Sequence, residues 1–302
     1  MCGIFGIAST KSIRDKLYKG LIKLEYRGYD SSGISGSDIS SKLTTIKATG
    51  PIKNLRTKLT SLTRITTGIA HTRWATHGEA ILKNTHPHLS ENISIVHNGI
   101  IENYIELKSL LKKKGYLFKS DTDSEVISHL IHMNYKKTKN MESSIISTTK
   151  MLNGSYAIGC INTNYANTIF AACKGSPLII GKGLNENFIA SDIMPILSDT
   201  KHYITLDDDE FAKITPSKIS IFNANKKTIS KKIKTSKINT QQASLSGHKH
   251  FMHKEIYEQK SILKEMTSRY VGTKKILPNI FGPGTDKILE NIDHIHFVAC
   301  GT

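Results

Sequence analysis

Between residues 154 and 233 the chain is cut into short β-rich pieces, at 156–161, 168–172, 178–180, 188–190, 202–206, 210–214 and 218–222, with Gly, Pro, Asn and Asp between them. Strands arranged in this way read as hairpins, which suggests antiparallel pairing. Helical periodicity is grouped elsewhere. Ile13, Leu17, Leu21 and Leu24 form one apolar stripe that Gly28 stops. Asn103 with Glu106 reads as a capping box, and Gly115 lies past the end of that helix. Val126, Ile127, Leu130 and Ile131 form the buried face of a second helix behind residues 120–123, and a third is expected over 143–152. Further strands are expected at the start of the chain (2–8) and at 43–48, 67–71 and 93–97. Strands grouped with strands and helices with helices predict an α+β fold of antiparallel sheets covered by helices, and argue against a βαβ array.

The length of 302 residues allows one large domain or two ordinary ones, and 38% hydrophobic against 22% charged residues supports a buried core. No apolar stretch approaches the roughly 20 residues of a membrane span. The opening MCGIFGIAST lacks the basic region and long apolar run of a secretory signal. Cys2, Cys160, Cys173 and Cys300 lie far apart, which suggests neither a disulfide framework nor a zinc site; a reducing, cytoplasmic setting is the default.

The formal net charge of +17, from 42 Lys+Arg and 25 Asp+Glu, raises the question of nucleic acid. The densest basic patch, KKTISKKIKTSK at 226–237, alternates with Ile and Thr as a solvated strand or hairpin would, and carries no aromatic residue for stacking on bases. No nucleic-acid or membrane partner is expected. The polar stretch 237–249 reads as a linker, followed by helical segments at 252–266 and 288–292 and an apolar run at 295–299.

Three places carry possible chemistry. Cys2 follows only Met1, and removal of Met1 would put a thiol and a free α-amine on one residue. The amine, with a pKa of about 7.7–8.0, can act as base for the thiol at neutral pH. The alternative is a small buried cysteine at a strand start. Asn98-Gly99 is either a tight turn or a pair of oxyanion donors, side-chain amide and backbone N–H, and the two readings are compatible. The stretch 70–78, AHTRWATHG, carries an Arg able to hold a carboxylate bidentately. Asp123 is either a helix cap or the partner of a ligand ammonium; with Arg73 it would match the two charges of a free α-amino acid. The histidine clusters 86/88 and 248/250/253 lack a carboxylate or thiol at metal-binding spacing and read as loop or surface residues.

MCGIFGI, LEYRGYDSSG, IAHTRWATHG, HPH, VHNGIIEN, SDTDSEVI, GSYAI, GSPLIIG, NFIASD and KEIYEQ follow one another in an order that resembles the N-terminal half of the glutamine–fructose-6-phosphate aminotransferases. The MCG start alone is shared with glutamine phosphoribosylpyrophosphate amidotransferase and asparagine synthetase, whereas RGYDSSG and HTRWATHG point to the sugar enzymes. The resemblance implies an N-terminal-nucleophile hydrolase, a four-layer αββα sandwich with antiparallel sheets at 1–236, a linker at 237–253, and at 254–302 the truncated start of an α/β sugar-isomerase domain, to which the closing VACGT belongs. It implies Cys2 as nucleophile with its α-amine as base, and Asn98 and Gly99 as the oxyanion pair. Arg73 and Asp123 would hold glutamine, with Thr76 and His77 in the loop closing over it, Trp74 as a gate for ammonia, and Arg27 in support. No metal or organic cofactor is required. L-glutamine is the implied substrate, fructose 6-phosphate would enter only through the half that is missing here, and a homodimer is possible for a full-length form. A module acting only in binding, or the glutaminase domain of a related amidotransferase, are the other readings.

Overall fold

The computed structural model describes residues 2–38, 40, 42–75, 78–238, 247–248, 251–271 and 285–296. The chain separates into two compact units, Met1–Ala243 and Ser244–Thr302. In the second, the described elements are α5 (Phe251–Tyr270) and α6 (Thr285–Leu289).

In chain order the first unit consists of β1 (Gly3–Ser9), α1 (Arg14–Ile22), β2 (Ser31–Ser37), β3 (Leu43–Thr49), β4 (Thr67–Arg73), β5 (His88–Ser90), β6 (Ile93–Ile101), α2 (Tyr104–Lys113), α3 (Glu125–Thr138), α4 (Met141–Thr149), β7 (Gly154–Asn162), β8 (Ile169–Lys174), β9 (Leu178–Lys182), β10 (Glu186–Ala190), β11 (His202–Leu206), β12 (Glu210–Ile214), β13 (Ile219–Phe222), β14 (Thr228–Ile229) and β15 (Lys234–Thr235). Short 3₁₀ segments lie at Glu25–Arg27, Ile52–Ser61 and Leu82–Asn84. The strands form an eight-stranded sheet in the order β15-β11-β9-β10-β1-β4-β2-β3 and a seven-stranded sheet in the order β14-β13-β12-β8-β7-β6-β5. The ladders within both sheets are antiparallel, as the hairpin arrangement suggests.

Three hydrophobic clusters separate four layers. One packs α1 and the 52–61 segment on the outer face of the eight-stranded sheet. A second joins the inner faces of the two sheets through Ile4, Ile69, Val96, Ala157, Ile180 and Ile189, among others. The third lies between the seven-stranded sheet and α2, α3 and α4. The two-residue period of a strand divides its side chains between clusters. On β7, Tyr156, Ile158 and Cys160 face the helices, while Ala157 and Ile161 face the other sheet. The layer order is therefore helices, sheet, sheet, helices.

Several expectations need correction. The 3₁₀ turn Glu25–Arg27 stands between the end of α1 and Gly28. Asn103 is the residue before α2, but its side chain caps nothing: Nδ2 donates to the Met151 carbonyl and Oδ1 accepts from Asn153 N–H, tying the helix start to the α4–β7 loop. The third helix begins at Met141, where Asn140 caps it by accepting from Ser143 N–H. Strand β2 and the Ile52–Ser61 segment had no counterpart in the sequence reading. The lysine-rich stretch forms no single hairpin, because β14 pairs with β13 in one sheet and β15 with β11 in the other. The helix expected at 252–266 falls within α5, whereas the one expected at 288–292 is displaced, α6 ending at Leu289; 239–246, 249–250 and 297–302 fall outside the described residues.

Candidate active site

The period of two that fills the space between the sheets carries the strands' polar ends to one edge of that same layer. On β4, Ile69 of the inter-sheet core is followed on the same face by His71 and then Arg73; on β6, Val96 is followed by Asn98; ahead of β1, Cys2 precedes Ile4. Gly3 pairs with Thr72 on β4, which sets Cys2 beside the end of that strand. Three adjacent side-chain rows thus change from aliphatic to reactive over one or two positions.

Cys2 is half-buried. Its Sγ accepts from Trp74 N–H at 3.3 Å and lies 3.6 Å from the Trp74 carbonyl. Burial pushes the thiol above its ordinary pKa, against the Trp74 N–H and the Arg73 charge, which favour the thiolate. A thiol held protonated in this way needs a base to become a nucleophile.

The Asn98 side chain bridges the two sheets. Its Nδ2 donates to the Cys2 carbonyl at 3.0 Å, and its Oδ1 lies 3.0 Å from His71 Nε2. Gly99 follows with φ +123°, a backbone conformation that L side chains rarely adopt, and a Cβ there would sit 2.1 Å from the Ser155 carbonyl oxygen. A glycine is required, on geometry that no tight-turn argument supplies: Asn98-Gly99 runs inside β6, paired with Ala157 and Tyr156.

Arg73 is 4% exposed. Its Nη1 and Nη2 donate to the carbonyls of Glu79 and Gly78 at 3.0 and 2.9 Å, so the guanidinium also holds the loop leaving β4. Burial lowers its pKa, while the nearby Cys2, Asp30 and Asp123 charges hold it up. Asp123 does not cap α3 through its side chain: its Oδ2 accepts from Ile101 N–H at 2.8 Å and its Oδ1 from Ser124 Oγ at 3.3 Å, which ties it to the end of β6. Trp74 is 43% exposed and packs edge-on against Tyr29. Thr76 and His77 lie outside the described residues. Arg27 points toward the loop after β10, where Nη1 donates to the Ser191 carbonyl at 3.2 Å and lies 3.8 Å from Asp192. Ser191 exchanges hydrogen bonds with the backbone of Ile4, so Arg27 supports the strand that carries Cys2.

Two residues of this region were not singled out in the sequence. Asp30 accepts from Ala75 N–H at 2.8 Å through Oδ2, fixing the backbone just past Trp74. His71 is buried and stacks on His86 at 4.1 Å, which meets His88 edge-on at 4.5 Å. His86 and His88 are thus core residues, where loop or surface positions were expected. Burial drives His71 and His88 down to about 3 and His86 well below its ordinary value. The signal for Asp30 and His71 was their presence inside RGYD and AHTRW; nothing in the local pattern says which side chains turn inward. Among the described residues no group of three or more His, Cys, Asp and Glu could hold a metal ion, and no helix is long and apolar enough to cross a membrane.

Residues 71–198 match the glutamine amidotransferase domain family. Over all of its length the chain is 42% identical to the glutamine–fructose-6-phosphate aminotransferase [isomerizing] of Buchnera aphidicola subsp. Acyrthosiphon pisum and 39% identical to that of Haemophilus influenzae, covering 50% of each. The chain thus spans about half the length of the curated relatives it matches. Among solved structures it is similar to the glutamine phosphoribosylpyrophosphate amidotransferase of B. subtilis, with a TM-score of 0.64 and 26% identity over 74% of this chain and 49% of that one. A glutamine aminotransferase class-II domain protein from Silicibacter pomeroyi, at 14% identity and a TM-score of 0.53, shares the fold. With its two antiparallel sheets between helices, its match to the glutamine amidotransferase domain and its likeness along its whole length to half of the sugar aminotransferases, this chain is similar to the glutamine–fructose-6-phosphate aminotransferases.

Proposed function

We propose that, after removal of Met1, this chain hydrolyses L-glutamine to glutamate and ammonia at Cys2. The single observation that carries the reading is the contact of Cys2 with the Asn98 amide at the edge of the inter-sheet layer, 3.0 Å from Nδ2 to the Cys2 carbonyl, beside the Arg73 charge.

The α-amine of Cys2 takes the thiol proton, and the sulfur attacks the δ-carbon of the side-chain carboxamide. The oxyanion that develops is stabilised by the Asn98 N–H and the Gly99 backbone N–H. The protonated amine then returns its proton to the leaving nitrogen, ammonia departs, and a γ-glutamyl thioester remains. Water, deprotonated by the same amine, cleaves the thioester to glutamate and free thiol. Arg73 and Asp123 hold the α-carboxylate and α-ammonium of the substrate, Thr76 and His77 lie in the loop over it, Trp74 gates ammonia, and Arg27 steadies the β1 end from behind.

The relatives are aminotransferases of fructose 6-phosphate, which extends the proposal to that acceptor. In a protein of their full length, the ammonia is delivered to fructose 6-phosphate to give glucosamine 6-phosphate. On this reading residues 1–236 are the glutaminase domain, 237–253 a linker, and 254–302 the opening of the sugar-isomerase domain, with dimerisation a property of the longer form.

The test is glutamate release from glutamine by Met1-processed protein, with processing verified by intact mass. Cys2→Ala should abolish it. Equal release by the variant rejects the assignment, and a processed protein that releases none favours a module acting only in binding.

A further inference from the structure

His71 is buried between the sheets and has no part in the chemistry described above. Its Nε2 lies 3.0 Å from the His97 carbonyl oxygen and 3.0 Å from Asn98 Oδ1. A carbonyl oxygen only accepts, so Nε2 carries the proton. The ring is neutral, and its Nδ1 has no hydrogen-bond partner. One N–H thus serves two acceptors, and the second of them is the side chain proposed for the oxyanion.

An asparagine amide is nearly symmetric in shape, so its orientation depends on its partners. With oxygen toward His71, Nδ2 donates to the Cys2 carbonyl. With the amide reversed, an NH₂ would oppose the His71 N–H and an oxygen would oppose the Cys2 carbonyl, losing both bonds and placing a second negative dipole where the oxyanion develops. We infer that His71 is a positioning residue for the oxyanion step: its Nε2–H, its tautomer fixed by the His97 carbonyl, locks the Asn98 amide with its N–H groups on the Cys2 side. The inference rests on the glutaminase reading above. The lock reaches from β4 in one sheet to β6 in the other, so it also sets the register between the strand bearing Arg73 and the strand bearing Asn98.

Three measurements on the Met1-processed chain test it. Nitrogen-15 spectra of the histidine rings should place the proton of His71 on Nε2; a proton on Nδ1 overturns the inference. His71→Leu, nearly equal in volume but without a donor, should lower kcat by about 10- to 100-fold, less than the full loss of an oxyanion donor. Its KM for glutamine should stay within about threefold, because the amino-acid clamp is untouched. The rate of Cys2 alkylation by iodoacetamide, which needs the thiol but no oxyanion hole, should be unchanged. His71→Gln, whose amide nitrogen can take the place of Nε2, should recover kcat to within about fivefold of wild type. A Leu variant with wild-type kcat, or Leu and Gln variants equally impaired in kcat and in alkylation, overturns the assignment. The ring spectrum is read without turnover, so an inactive wild-type chain counts against the glutaminase reading and leaves the Asn98 lock measured on its own.

Discussion

At the scale of single residues, the site is made by side chains whose neighbours on the same strand face belong to the core, and its tolerance to change follows from that. Asn98→Ala should lower kcat for glutamine by about 10²- to 10³-fold, the usual cost of one oxyanion donor, with a smaller effect on KM; steady-state assay of glutamate release checks both numbers. Gly99→Ala meets two obstacles, the φ of +123° and the Ser155 carbonyl at 2.1 Å from the added Cβ. It should lose activity and melt at a lower temperature, by more than Asn98→Ala, which gives up the two bonds of the side chain but introduces no clash. Cys2, Asn98, Gly99, Arg73 and Asp123 were all visible as residues, because each sits in a distinctive string. Their surroundings were not. That Arg73 also holds the Gly78 and Glu79 carbonyls, and that Asp123 receives the Ile101 N–H rather than capping α3, are tertiary facts that local pattern does not encode.

Among elements, periodicity identified those whose faces differ in polarity and overlooked those whose faces do not. Strands 202–206 and 210–214 lie where their apolar alternation put them. Strand β2, SSGISGS, has one aliphatic residue and two glycines, so neither period two nor β-propensity marks it. It forms because β3 and β4 both pair with it along all seven residues. Propensity is overridden in α1 as well. Gly20 lies within this helix, where alanine would ordinarily be favoured by about 1 kcal/mol, but a Cβ there would meet the Phe5 ring at 2.1 Å. Gly20→Ala should therefore destabilise the fold by about 1–3 kcal/mol through overpacking, seen as a lower urea midpoint; an unchanged or higher midpoint would show that α1 can move off the sheet without cost.

For the whole molecule, the buried imidazoles govern the response to acid. His71 and His88 are held down to about 3 by burial, so below about pH 6.5 the unfolded chain binds protons that the folded chain refuses. Each costs about 1.4 kcal/mol of stability per pH unit between those limits, and the loss begins well above the range of ordinary carboxylates. Burial raises Glu125, but the His129 ring 3.6 Å away and hydrogen bonds from the Lys119 and Ser120 backbone and the Ser120 hydroxyl outweigh it and hold the group down to about 2. Its contribution is present above about pH 4.5 and is lost as the pH falls toward 2. Thermal melting should therefore decline steeply from pH 6.5 to 5, and His88→Gln should flatten that slope by the share of one proton; a melting temperature level over that range would disprove it. The fold class was legible because strands cluster with strands and helices with helices, while the division of the lysine-rich stretch between two sheets was not: β14 and β15 are two residues long, and although β14 folds back on the neighbouring β13, β15 pairs with β11 some thirty residues earlier in the chain.

That division has a consequence for how the molecule meets its own kind. Two of the four sheet margins end in strands of two residues, one preceded by the exposed Lys226 and Lys227 and the other carrying Lys234 with Lys232 just before it, and a third margin, β5, is only three residues long. A stray extended segment finds almost no free ladder to extend there, and like charge repels a second copy at close range. The surplus of positive charge that first suggested an anionic partner thus acts as a guard against fibril-like stacking, and replacing those four lysines by threonine should speed aggregation on mild heating while leaving glutamine turnover at lower temperature intact.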